Sequence, residues 1–215
     1  MISPHGADRL APRIISDELH RRELIVLAAS LPAISISSTA ATNAVMLGAG
    51  YFSPLSGYHD RSDALSIARE KKTTSGLFWP VPCLNMIHEA PKLKEGDRVA
   101  LRDPNIPGNP VLAVQRIEKI EQFTYYDLLE IARAIFGSVD RAHPGVANFL
   151  NSGTTVLSGP VDVLNYSYFE IDFPDTFKTA RQIRSEFERR GWDRVVAFQT
   201  RNPMHRAHEE LCKMA

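Results

Sequence analysis

The sequence predicts a mixed α+β protein in two unequal parts: a domain over residues 1–171, then the first βα portion of an α/β domain over residues 172–215. Two observations carry this. Up to residue 171, strand-like and helix-like patterns intermix without the regular alternation that builds a parallel sheet. After Asp172 the order becomes helix, apolar run, polar loop and helix, a common way for α/β proteins to open an anion site.

Residues 17–30 read as the first helix, followed by the alternating strand Ala33-Ile34-Ser35-Ile36-Ser37. Residues 39–47 and 62–72 read as helices. Strands are expected at 81–87, 98–102 and 111–121, punctuated by Asp97, Pro104, Pro107, Gly108 and Pro110. Residues 125–136 return to a helical pattern, and 161–165 form a late strand. Beyond Asp172, Phe177, Ala180, Ile183 and Phe187 mark the apolar face of a helix over 175–190, which Gly191 ends. Val195-Val196-Ala197-Phe198 is then a short buried-type strand.

The loop after that strand, Gln199-Thr200-Arg201-Asn202-Pro203-Met204-His205-Arg206-Ala207-His208, carries the chemistry. Arg201 offers a planar fork of donors to an oxyanion. Gln199 and the Thr200 hydroxyl add neutral donors that orient an anion without a further charge. Asn202 is a favoured N-cap and Pro203 a favoured first helical residue, so a helix is expected to start there. Its unsatisfied N–H groups and positive dipole end would face the same anions. His205 and His208 share one helical face, about 110° around from Met204, Ala207, Leu211 and Met214. Each piece has a plain structural reading: a solvated histidine pair, an Arg-Asn-Pro turn. Their combination after an apolar strand points to two anions held close together. A zinc site does not fit, because the spacing is not His-Glu-x-x-His and no third ligand is near. No Ser or Cys has the paired base that a covalent nucleophile requires.

This stretch resembles the Gln-x-Arg-Asn-Pro-x-His-x-x-His signature of the ATP sulfurylase (sulfate adenylyltransferase) family, matching every fixed position. Pro4-His5-Gly6, Gly50-Tyr51-Phe52-Ser53-Pro54-Leu55-Ser56-Gly57-Tyr58, Phe78-Trp79-Pro80-Val81-Pro82, Leu101-Arg102-Asp103-Pro104 and Asp172-Phe173-Pro174-Asp175-Thr176-Phe177 also resemble family motifs, in order. The flavour is that of the bacterial single-function enzymes. The resemblance implies a PUA-like β-barrel over 1–171, followed by the first βα portion of a truncated Rossmann-like nucleotidyltransferase domain. It implies that MgATP and sulfate give adenosine 5′-phosphosulfate and pyrophosphate, or the reverse, by direct in-line displacement. Gln199, Thr200 and Arg201 would hold sulfate, with Thr200, Arg201 and Asn202 the catalytic set. Asn202 would contact the α-phosphate region, and His205 and His208 the phosphate chain. Magnesium would accompany the nucleotide, and relatives generally form homo-oligomers.

Length adds an expectation. One βα unit cannot bury Val195, Val196 and Phe198 on both faces, and the chain ends at Lys213-Met214-Ala215 without a helix cap. A later Gly-Arg-Asp-His-type motif of the family is also missing. The chain is therefore expected to be the front portion of a longer enzyme, with little or no adenylyltransferase activity alone.

Two other readings were weighed. PUA-like domains often bind RNA, but Lys+Arg and Asp+Glu both number 25, with no concentrated basic tract. Arg181, Arg184, Arg189 and Arg190, interleaved with Glu186 and Glu188, read as a solvated helix face. Phe52 and Tyr58 read as core aromatics, and Arg102-Asp103 as a turn or internal ion pair. Other nucleotidyltransferases commonly carry His-x-Gly-His, where this chain has Ala207.

Composition is that of a globular protein, with 44% hydrophobic and 23% charged residues. No signal segment is evident at the N-terminus and no run approaches the ~20 apolar residues that span a bilayer. No membrane or nucleic-acid partner is expected. Cys83 and Cys212 are solitary, so a reducing cytoplasm is the simpler inference, and Cys212 is expected to be a buried thiol rather than a catalytic one. His5, His20, His59, His88 and His143 show no ligand-like clustering.

Overall fold

The computed structural model describes residues 3–89 and 92–214. Its frame is a curled seven-stranded sheet built around one long strand, β7 (Thr155–Val163). The others are β1 (Ala33–Ser35), β2 (Gly57–Tyr58), β3 (Met86–Ile87), β4 (Arg98–Arg102), β5 (Val111–Arg116) and β6 (Lys119–Gln122). The path runs β1-β4-β5-β7-β2, with β3 and β6 also on β7. Among the described strands β1 and β4 pair in parallel and the others antiparallel, while Ile14 adds an isolated parallel bridge to Val163 of β7.

The sheet curls because β7 serves two sets of partners. Its last residues pair with β5, its first with β6 and β3, and Gly159-Pro160 with β2. Gly159 lies at the change-over with φ +127°, where an added Cβ would sit 2.2 Å from the Arg116 carbonyl oxygen. Only glycine fits. The strand expected at 161–165 is instead the end of a longer one, which bends at Gly159-Pro160 and stops at Val163. The expected single strand over 111–121 likewise splits in two. The Ile117 N–H donates to the Asp97 carbonyl (2.8 Å) and the Glu118 N–H to that of Ser158 (2.9 Å), which turns the chain between β5 and β6.

Helices cover this sheet: α1 (Glu18–Ala28), α2 (Ser38–Ala49), α3 (Arg61–Glu70), α4 (Tyr125–Phe136) and α5 (Pro144–Leu150). Side-chain oxygens of Asp17, Ser37, Asp60 and Thr124 cap the first four, and Gly50 and Gly137 close α2 and α4 in left-handed conformations. The largest core packs α2 residues Ala40, Ala44 and Val45 against Val99, Leu101, Leu112, Leu157 and Val163. A second joins α3 and α4 through Ala64, Leu65, Leu128 and Ile131. The third sits beneath α1, around Leu24, Ala28, Ala100 and Val114.

The strand expected at 81–87 is confined to β3. Pro82 has no N–H to give a ladder, and the next residue is committed elsewhere: His59 Nδ1 accepts the Cys83 N–H (2.9 Å), while the His59 N–H donates to the Cys83 carbonyl (2.8 Å). Helix α5 was not foreseen; His143 caps it through Nδ1, accepting the Gly145 N–H at 3.1 Å. Tyr58 is core, as expected. Arg102-Asp103 is a turn, with Asp103 Oδ1 accepting the Asn105 N–H (2.9 Å).

After β7 come three further helices: α6 (Phe169–Asp172), α7 (Ala180–Arg190) and α8 (Arg206–Met214). The helix expected at 175–190 starts five residues late. A capping box of Thr179 and Gln182 sets its first turn, and Phe177 packs its ring on Tyr166 and Phe169 instead (5.2 and 5.7 Å). The Tyr51 hydroxyl donates to the Lys178 carbonyl and ties this segment to the sheet domain. On α7, Glu186 lies between two arginines; hydrogen bonds from Arg189 and then Arg190 hold its carboxyl down to about 2. That helix face is solvated, as read.

Candidate anion site after residue 198

The run Val195-Val196-Ala197-Phe198 forms no strand; residues 193–200 carry no regular structure. Its side chains are open to solvent, Val196 at 68%. The reason is physical. A strand's N–H and C=O groups need a neighbouring ladder, and among the described residues none lies beside this run.

The loop that follows is organised locally. Thr200 Oγ1 accepts the Asn202 N–H (3.1 Å) and donates to the Asn202 carbonyl (3.2 Å), making a tight hydroxyl-closed turn. Arg201 lies at the middle of that turn, exposed, and makes no hydrogen bond or ion pair among the described residues. Residues 194–208 hold three arginines and two histidines and no carboxylate. On a chain of zero net charge this loop is a local concentration of cationic donors.

The helix begins later than expected. Asn202 is not its cap and Pro203 is not its first residue; α8 starts at Arg206, preceded by His205. The Thr200 hydroxyl holds both the N–H and the carbonyl of Asn202 in a turn of its own, ahead of the helix. The cap comes from the helix itself: His208 Nδ1 accepts the His205 N–H at 3.3 Å. That bond fixes the imidazole tautomer, leaving Nε2–H as the free donor. The rings of His205 and His208 lie 4.0 Å apart, and Phe198 packs on His208 at 5.7 Å.

Of the six expected site residues, the structure joins His205 to His208 and Thr200 to Asn202; Gln199 and Arg201 are exposed in the same loop. Phe198 was missed as a site neighbour, since it read only as a strand residue. Its signal was an aromatic directly ahead of the polar loop. Met204, Leu211 and Met214 are solvent-facing. Cys212, expected to be buried, is exposed, whereas Cys83 is buried and its thiol pKa pushed up by desolvation.

A cavity of about 760 Å3 lies upstream, between α7 and the 4–10 and 50–53 segments. Its walls include Leu10, Tyr51, Ile183, Phe187 and Trp192, and Val195 forms one edge. It contains none of the six loop residues. Apolar walls suit packing, so the cationic loop is the better candidate for chemistry. Among the described residues no cluster of three or more His, Cys, Asp or Glu is placed to hold a metal ion, and no helix is long and apolar enough to cross a membrane.

The PUA-like domain family matches residues 2–166 and the ATP-sulfurylase family residues 174–215. The chain is 55% identical over 215 residues to a sulfate adenylyltransferase of Alcanivorax borkumensis, covering 100% of itself and 54% of that protein. It is 53% identical to the sulfate adenylyltransferase of Allochromatium vinosum, with coverage of 100% and 54%. The chain thus spans about half the length of the curated relatives it matches. Among solved structures it resembles one described as a hexameric APS kinase from Thiobacillus denitrificans, with TM-score 0.75 and 26% identity, covering 100% of this chain and 37% of that one.

Proposed function

The chain belongs to the PUA-like domain family and continues into an ATP-sulfurylase segment, and from this we propose that residues 199–208 are the sulfate- and phosphate-binding part of a sulfate adenylyltransferase. The reaction joins MgATP and sulfate into adenosine 5′-phosphosulfate and pyrophosphate, or runs the other way. A boundary near residue 171 separates the sheet domain from the reacting segment. The cationic loop without a carboxylate carries the reading.

Sulfate is already a dianion at neutral pH, so no base is needed to activate it. The difficulty is repulsion between it and the triphosphate, together with alignment on the α-phosphorus. In the proposed step a sulfate oxygen forms a bond to that phosphorus. The bond to the bridging oxygen breaks, and its electron pair leaves with pyrophosphate. Arg201 offers two parallel N–H donors to sulfate, with Gln199 and Thr200 as neutral partners. Asn202, hydrogen-bonded to the Thr200 hydroxyl, would contact the α-phosphate. The His208 Nε2–H and the His205 ring offer donors to the phosphate chain and the charge building on the bridging oxygen. Magnesium belongs to the nucleotide substrate; it takes oxygen ligands and keeps several waters, so it asks little of the protein.

The same reading places the protein in the cytoplasm as a homo-oligomer, with no nucleic-acid or membrane partner. The 215-residue polypeptide alone is expected to be inactive, because the run that should present the loop as a strand has no ladder among the described residues. Competition in the full-length protein tests the proposal. Sulfate-dependent pyrophosphate release should be inhibited by selenate and molybdate. Inhibition by a pantetheine phosphate or a nicotinamide mononucleotide, with no response to selenate or molybdate, would reassign the loop to another adenylyl acceptor.

A further inference from the structure

Helix α1 buries one face and leaves the other bare. Leu24 and Ala28 are sealed against Ala100, Val114 and Leu164. On the far side, Leu19 and Val26 are 70% and 75% exposed, with Ile25 half-exposed beside them. Leu19, Arg22, Glu23 and Val26 follow the i, i+3, i+4, i+7 spacing of a single helical stripe. A shallow groove lined by Arg22, Glu23, Val26, Leu27 and Ser30 runs along it.

The order of residues on this stripe is self-complementary. Consider a second copy of α1 packed antiparallel, with the two-fold axis between positions 22 and 23. Leu19 then meets Val26 of the other copy, and Arg22 meets Glu23, and each contact occurs twice. Shifting the pairing by one position in either direction sets Arg22 against Arg22 or Glu23 against Glu23 across the axis. A two-fold interface demands this kind of self-matching patch, and the charge order selects the antiparallel direction over the parallel one. The present partners of these charges are weak competitors. Arg22 bonds Glu18 of its own helix (2.9 Å), His20 is 3.9 Å from Glu23, and exposed pairs of this sort contribute little.

We propose that the bare face of α1 is a two-fold contact between copies of this chain, with Leu19 and Val26 as its apolar centre and Arg22–Glu23 as its register. Two helical turns bury less than the ~1,200 Å2 of an ordinary stable interface. The contact is therefore reversible, and it is independent of the proposed chemistry at residues 199–208.

Sedimentation equilibrium of the full-length protein tests this with charge reversal. Arg22→Glu should weaken self-association at least about tenfold, since a two-fold axis counts the change twice and sets like charges together. The double change Arg22→Glu with Glu23→Arg rebuilds both contacts and should return the association constant to within about threefold of the original. Leu19→Asp should weaken association without lowering the melting temperature. The proposal is overturned by a protein that stays monomeric, by association indifferent to Arg22→Glu, or by a double change that fails to rescue.

Discussion

Residues 99–101 and residues 195–198 are both short apolar runs, yet they meet opposite fates. Val99, Ala100 and Leu101 are fully buried, with β1 on one side and β5 on the other. Val195, Val196 and Phe198 are 48%, 68% and 38% exposed and pair with nothing among the described residues. Composition does not separate them; neighbours do. A strand is defined by hydrogen bonds to other strands, whereas a helix closes its own. Accordingly α7 and α8 form beside the unpaired run, each fixed by a local cap, Thr179 with Gln182 in one and His208 in the other. The sheet domain is held by tertiary burial, and the segment carrying the cationic loop by local chemistry.

That contrast can be tested by substitution. Truncating Leu101 to alanine opens a hole in the closed core and should cost about 2–5 kcal/mol in chemical denaturation. Val196→Ala should change the same quantity by less than ~0.5 kcal/mol in the 215-residue polypeptide. Equal losses would abolish the distinction between the two regions.

A smaller effect separates their mechanisms. Thr179→Ala removes the α7 cap and should weaken that helix by about 1 kcal/mol. Hydrogen exchange should speed up at the α7 amides while those of β4 and β5 keep their protection. Faster exchange in both places would mean that the two regions unfold as one.

The pH response should come from the sheet domain. Burial holds the His59 pKa below its usual value, partly opposed by Asp63 and Asp60. The folded imidazole is therefore neutral, and Nδ1 keeps the Cys83 N–H. In the unfolded chain the same group titrates near ~6.5. Between the depressed value and ~6.5 the unfolded state binds the extra proton, so this contribution is complete above ~6.5 and is lost as pH falls through that window. The melting temperature should drop on acidification, and His59→Gln should flatten the slope. An unchanged slope would remove His59 from the account.

Much of this was legible from residue patterns, for identifiable reasons. Tyr125 to Phe136 announces itself as a helix because Thr124, the apolar period and Gly137 agree. Arg98 to Arg102 was bounded correctly because turn residues flank it. β7 was misread because Gly159 and Pro160, ordinary strand breakers, are used there for a bend that only the Arg116 carbonyl explains. At the loop, the hydrogen-bonding groups of Arg201, Thr200 and the two histidines are visible as side-chain types. The start of α8 could not, because a hydroxyl turn at Thr200 and a histidine cap compete with the expected Asn-Pro start.

The functional reading turns on whether the guanidinium in the Thr200–Asn202 turn meets the substrate anions. Steady-state kinetics of Arg201→Ala in the full-length protein decides it. The side chain is exposed and unpaired among the described residues, so the melting temperature should not move, while kcat/KM for adenylyl transfer to sulfate should fall by about 10²–10³-fold. A variant that folds and turns over sulfate at the original rate would contradict the account.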